Sequence, residues 1–154
     1  MTASRVRNRP IALAIFLIFA GLVGLWASFQ LMLEKIHVFE NPDAALSCDF
    51  SIVVQCLANL ESQQGAVLGF PNPIIGLIAF TAPLVVGAAI LADARFNAWF
   101  WVVFNVGVAA GFGFILWLSY QSIFNLGTLC IWCMTVWSVM IPMFWAVTLR
   151  NLKV

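Results

Sequence analysis

The sequence predicts an all-α integral membrane protein: a four-transmembrane-helix bundle with a large outer loop containing a short amphipathic helix. Three observations carry this. Hydrophobic residues make up 64% of the 154-residue chain and charged residues 8%, with a mean hydropathy of +1.04, whereas a soluble domain is about 45–50% apolar and about 25% charged. Charge that sparse cannot cover a water-facing surface. Four apolar segments are each long enough to cross a hydrocarbon layer about 30 Å thick, which takes roughly 20 helical residues. No barrel-like alternation is present, so helix is the only way to satisfy backbone N–H and C=O groups in lipid. A formal net charge of +1 without a basic tract gives no footprint for nucleic acid.

The first span runs from about Ile11 to Leu33. Its flank carries Arg5, Arg7 and Arg9, but the apolar run exceeds a signal-peptide core of about 7–15 residues and no A-x-A-like site follows, so it is expected to remain as a helix. The second span runs from about Ile74 to Ala92, the third from about Ala98 to Ser119 and the fourth from about Cys130 to Leu149. Pro83 and Pro142 fall inside the second and fourth and are expected to kink them. Gly107 and Gly111, four apart on the third, are expected to admit a neighbouring helix. Asn105, in the same span, is expected to hydrogen-bond across to another helix. Trp99, Trp101 and Trp117 read as interface anchors and packing residues, and His37 as a surface residue.

Orientation follows from charge. With the N-terminus cytoplasmic, Arg5, Arg7, Arg9, Arg95, Arg150 and Lys153 lie inside and only Lys35 lies outside, as the positive-inside rule favours. Both termini are then cytoplasmic, in a cell inner or plasma membrane. Residues 93–97 form a tight inner turn and about 120–129 a short outer one. The outer loop of about 34–72 is long enough to hold structure of its own. Within 52–63, Val53, Cys56, Leu57 and Leu60 fall at helical spacing and predict the short amphipathic helix. The stretch 65–73 reads as a turn and re-entry into the membrane.

All four cysteines lie on the outer, oxidising side. Cys48 and Cys56 sit in the large loop, and Cys130 and Cys133 form C-I-W-C where the fourth span begins. At a helix start, unpaired N–H groups and the helix dipole favour a thiolate at Cys130, the reactive species in disulfide exchange. Thr128 is the expected N-cap. Cys133 lies one turn deeper, nearer the lipid. A water-soluble dithiol would therefore meet the loop pair and a lipid-soluble acceptor such as a quinone would meet Cys133, with electrons passing between the pairs. Simpler readings compete: two static disulfides, a structural zinc on four thiolates, or unrelated buried thiols.

These residues resemble the vitamin K epoxide reductase family. The likeness rests on Cys48-Asp49, seven residues between Cys48 and Cys56, then Ser62, then Phe70-Pro71-Asn72-Pro73-Ile74-Ile75-Gly76, then Cys130-Ile131-Trp132-Cys133. It extends over nearly the whole chain and is best to the bacterial branch. DsbB-type oxidases do similar chemistry on four helices, but with the C-x-x-C first. The resemblance implies a Cys130–Cys133 active-site disulfide, with Cys133 facing the quinone. It implies that Cys48 receives electrons from the partner and that Cys56 passes them to Cys130. It further implies that Asn72 hydrogen-bonds a quinone carbonyl, that Ser62 supplies a supporting loop hydroxyl, and that Asp49 is the acidic residue after the first cysteine. Against these implied roles, Asn72 also reads as a simple helix cap and Ser62 as an exposed loop hydroxyl.

Two positions depart from the vertebrate pattern. Trp137 stands where the vertebrate enzymes have a quinone-bonding tyrosine, and an indole N–H donates with a different reach. Phe80 stands where that pattern has an aromatic hydroxyl, leaving only packing. Many bacterial relatives carry a fused thioredoxin-like domain, and nothing here can fold as one. The expected function is a quinone-dependent thiol oxidase, using menaquinone or ubiquinone, that reoxidises a separate extracytoplasmic thioredoxin-fold (DsbA-like) partner. The alternative is a disulfide-stapled membrane scaffold or transporter subunit without turnover.

Overall fold

A computed structural model of the chain describes residues 10–153. Arg5, Arg7 and Arg9, placed inside by charge, fall outside the described residues. Among the described residues the fold is all-helical, with four helices long and apolar enough to cross a membrane: α1 (Ile11–Glu40), α3 (Asn72–Leu91), α4 (Ala98–Tyr120) and α5 (Ile131–Leu152). The loop after α1 holds one short helix, α2 (Leu57–Glu61), followed by a 3-10 turn at Gln63–Ala66.

The spans differ from expectation at their outer ends, each for a local reason. α1 continues past Leu33 to Glu40, because polar residues do not themselves break a helix. It stops where Pro42 forces Asn41 into an extended conformation (φ −139°, ψ 90°). α4 passes Ser119 and runs on as a π-helical segment, Gln121–Leu126, until Gly127 closes it at φ 66°. The outer turn therefore shrinks to residues 127–130. α3 begins at Asn72, with Pro73 in its first turn. Pro83 and Pro142 both lie within continuous helices.

The loop helix is shorter than the spacing over 52–63 predicts, because Val53 to Gln55 are taken up in extended pairing. Leu129 N–H donates to Val53 O at 2.7 Å, and Gln55 N–H donates to Leu129 O at 3.0 Å. Lys35 of α1 fastens the end of α2 by donating Nζ–H to Leu60 O at 2.6 Å.

α1 is the central helix. It packs on α3 and α5, and α5 packs on α4. α3 and α4, although consecutive in the chain, scarcely touch, so the bundle is open on the side between them. The α1–α3 seam is built from small residues. A Cβ at Gly21 would sit 2.9 Å from Leu84 Cβ and backbone N, and one at Gly87 would sit 2.6 Å from Ala14 O. Gly24 gives way to the Phe80 ring and Gly76 to Ser28. The expected pair on α4 divides: a Cβ at Gly111 would meet Met140 Cε at 2.5 Å, while Gly107 has nothing within 4 Å.

Asn105 links α4 to α5, accepting at Oδ1 from Thr148 Oγ1–H at 3.0 Å. Trp99 and Trp117 are exposed, as anchors should be, but Trp101 is buried beneath the Arg150 guanidinium, whose carbon lies 3.5 Å from its ring centroid. His37 is exposed.

Gly21→Val should destabilise the protein by about 1–3 kcal/mol through overpacking of the seam, whereas Gly107→Ala should be neutral. Thermal unfolding in detergent reads both. Equal stability of the two variants would contradict the seam as described.

Candidate functional site

At one end of the bundle the loop, the start of α5 and the last turns of α1 enclose a second apolar cluster. It contains Leu31, Val38, Leu46 and Leu60 together with Cys48, Cys56 and Cys130. Cys48 and Cys56 are joined in a disulfide with a Cα–Cα distance of 5.8 Å, while Cys130 and Cys133 are free thiols. The loop pair is thus bonded and the C-x-x-C pair is not. The two pairs meet: Cys56 Sγ lies 2.9 Å from Cys130 Sγ, longer than a covalent bond of about 2.05 Å. Cys48 and Cys56 are 1% and 0% exposed, so the loop disulfide is sealed from solvent.

Asp49 explains how Cys56 is held. Its Oδ1 accepts the backbone N–H of Cys56 at 2.8 Å and, at 3.5 Å, that of Leu57, filling the capping role at the start of α2. Phe50 and Ser51 close the loop by donating N–H groups to Val54 O at 2.9 and 3.1 Å. At the start of α5 the N-cap position is Cys130 itself. The expected cap, Thr128, is buried and instead accepts the Asn59 amide at 3.1 Å, a second tie between loop and α5.

The Cys130 thiol is held below its ordinary pKa chiefly by the hydrogen bond from the Cys133 thiol. The N–H groups of Cys133 and Trp132 add to the effect, while burial and the Asp49 charge oppose it. The helix-start N–H groups expected to favour the thiolate therefore contribute, but less than the Cys133 thiol. Trp132, between the two cysteines, packs into the outer cluster with its indole N–H buried and, among the described residues, without an acceptor.

Behind the cysteines lies a cavity of about 450 Å³, within the range of about 300–1,000 Å³ usual for small-molecule sites. Cys133, Trp137, Phe80, Asn72 and Ser62 all line it. Its deeper walls are apolar side chains of α3, α4 and α5, and its outer end carries Asn59, Gln64, Gln121 and Ser122. The exposed lining residues Ala79 and Ala82 of α3 and Val103 and Gly107 of α4 face the gap between those helices.

Asn72 does not cap α3. Its Oδ1 accepts Val67 N–H at 3.1 Å and its Nδ2 donates to Gln64 O at 2.6 Å, clamping the 3-10 turn over the cavity. Ser62 caps that turn, accepting Gly65 N–H at 3.1 Å and donating to Asn59 O at 2.8 Å.

The family model for the vitamin K epoxide reductase family matches residues 15–148. The chain belongs to the vitamin K epoxide reductase family. Members of that family are thiol–disulfide oxidoreductases of membranes and are generally quinone-linked. No curated protein matches the chain. The family match includes all four cysteines and runs from the first turns of α1 into the last turns of α5.

Sequence reasoning missed Gln121, Gln64 and Asn59 as cavity residues. Gln121 Oε1 accepts from Gln64 Nε2 at 3.3 Å and from Asn125 Nδ2. Its own Nε2 has no protein acceptor among the described residues. The signal in the sequence was an amide immediately after an apolar span, indistinguishable there from an ordinary interfacial residue.

With the loop disulfide intact, the ultraviolet thiolate absorbance assigned to Cys130 should titrate below the ordinary thiol range of about 8.5. Thiolate forms as pH rises through the pKa, so a depressed value moves the curve to lower pH. Removing the donor in Cys133→Ala should move it back up. An unchanged curve in that variant would show that Cys133 does not hold the thiolate.

Proposed function

We propose that the protein is a quinone-dependent thiol oxidase that reoxidises a separate thioredoxin-fold protein, with its cysteines at the extracytoplasmic face and both termini cytoplasmic. The observation that carries this reading is the continuous path of sulfur from the loop disulfide to the cavity. Cys56 Sγ is 2.9 Å from Cys130 Sγ, and Cys133, one helical turn on, lines the cavity.

The exchange balances in two-electron steps. A partner thiolate attacks Cys48 and breaks the Cys48–Cys56 disulfide, and the partner's second thiol releases an oxidised partner and a loop dithiol. Cys56 thiolate attacks Cys130 of a Cys130–Cys133 disulfide, forming Cys56–Cys130 and releasing Cys133 as thiolate. Cys48 then attacks Cys56, restoring the loop disulfide and freeing Cys130. That exchange ends with an oxidised loop pair beside two thiols. A lowered Cys130 pKa makes it a good leaving group in the last step.

A bound quinone supplies the sink for two electrons and two protons that returns Cys130 and Cys133 to a disulfide. The cavity fits such a ring by size and by its donors. One N–H of Asn72, the Gln121 Nε2 group and the Trp137 indole N–H have no protein acceptor among the described residues. Gln121 and Trp137 together offer the polar contact that a tyrosine provides in vertebrate relatives. Phe80, 6% exposed and seated in the notch left by Gly24, contributes packing. Ser62 and Asn72 act on the cavity by holding its 3-10 roof. The gap between α3 and α4 gives a lipid-soluble tail a lateral exit.

In proteoliposomes with a quinone and a reduced thioredoxin-fold protein, Cys133→Ala should abolish quinone reduction; turnover at the wild-type rate would sink the role given to Cys133. Gln121→Leu, which keeps side-chain size, should raise the quinone KM about tenfold, the worth of one hydrogen bond of about 1–1.5 kcal/mol, with kcat little changed. Replacing Cys48 and Cys133 together should accumulate a Cys56–Cys130 crosslink under oxidising conditions. If the cysteines of the wild-type protein stay permanently blocked to thiol reagents whatever the quinone supply, the stapled-scaffold reading replaces this one.

A further inference from the structure

At the end of the bundle opposite the cysteines, α1 and α5 leave a groove of about 510 Å³ between them. Leu13 and Phe16 of α1 and Ala146 and Leu149 of α5 make its walls apolar. Two cations, Arg150 and Lys153, line it at the last turn of α5.

Arg150 is held in place from two sides. Its guanidinium lies over the Trp101 ring, and Nη1 donates to Asn151 Oδ1 at 3.3 Å. Asn151 Nδ2 in turn donates to Trp101 O at 2.9 Å, so ring, amide and guanidinium form one unit. Neither contact neutralises the charge. Lys153 is exposed, and among the described residues neither cation pairs with a carboxylate. The described acid at this end, Asp93, lies in the turn 92–97 and does not line the groove.

The end of a membrane-spanning helix lies at the level of lipid phosphates, where each nearby Lys or Arg attracts anionic headgroups. An apolar slot capped by two uncompensated cations matches a phosphate above an acyl chain, and a guanidinium fork suits phosphate oxygens. A soluble anion would leave the slot unfilled, and a zwitterionic lipid would bring a cation against the two already there. We propose that this groove binds one anionic phospholipid, with its phosphate on Arg150 and Lys153 and an acyl chain laid between α1 and α5. The proposal is independent of the redox reading.

The test uses the full-length protein, delipidated in detergent and re-exposed to phosphatidylglycerol, phosphatidylcholine or inorganic phosphate, with binding read by native mass spectrometry. Phosphatidylglycerol should be retained in about thirtyfold excess over phosphatidylcholine, from two cations at the headgroup level. Inorganic phosphate should not displace it. Combining Arg150→Gln with Lys153→Gln should abolish the preference, while Arg95→Gln, an exposed cation in the turn at the same end, should leave it unchanged. Lys153→Glu alone, on an exposed side chain that cannot unfold the bundle, should lower it severalfold. Equal retention of the two lipids, equal loss in Arg95→Gln, or displacement by inorganic phosphate would each overturn the proposal.

Discussion

Two backbone hydrogen bonds tie the disulfide loop to the start of α5, running from Leu129 N–H to Val53 O and from Gln55 N–H to Leu129 O. Cys56 follows Gln55 and Cys130 follows Leu129, so this short pairing sets the two cysteines side by side across 74 residues of sequence. The Asn59–Thr128 bond reinforces it from the next turn, and Asp49 fixes the backbone of Cys56 from the other side. Backbone pairing is well suited to this task, because it does not depend on any side chain that the redox chemistry must change.

The same tie closes the outer end of the cavity. With the loop anchored on α5 and clamped to α3 by Asn72, the 3-10 turn becomes a roof, and exposed lining residues of α3 and α4 face the gap between those helices. The order of helix packing, α3 on α1, α1 on α5 and α5 on α4, has that consequence built in. α1 can sit at the centre because Gly21, Gly24, Gly76 and Gly87 let the α1–α3 backbones approach closely. In lipid, where apolar surfaces gain nothing from leaving water, such close packing holds helices together.

Three of the four sulfurs are thereby kept from solvent, and the fourth, that of Cys133, borders the cavity. The loop disulfide is buried among Leu31, Val38, Leu46 and Leu60, so any thiol reaching Cys48 from solution would have to displace part of the loop. Phe50 and Ile52, 68% and 88% exposed, stand on the segment between the two cysteines that would have to move.

Much of this was legible beforehand. Apolar composition and the lengths of four segments determine a four-helix membrane protein, since lipid leaves the backbone no other option. The placement of all four cysteines at one end follows from counting spans. Helix ends were less legible: hydropathy marks where side chains become polar, while α1 and α4 continue until Pro42 and Gly127 stop them. The loop helix was overdrawn because Val53 and Leu60 share a helical period whether or not the backbone between them is helical. Gln121 and Asn59 could not be assigned to the cavity at all, since their neighbours there come from other helices. What the sequence by itself determined was therefore the set of elements and the chemistry they carry, which depend on local composition and spacing. Which sulfurs touch, where the cavity opens and which amides face it were decided only by tertiary packing, because each depends on contacts between residues far apart in the chain.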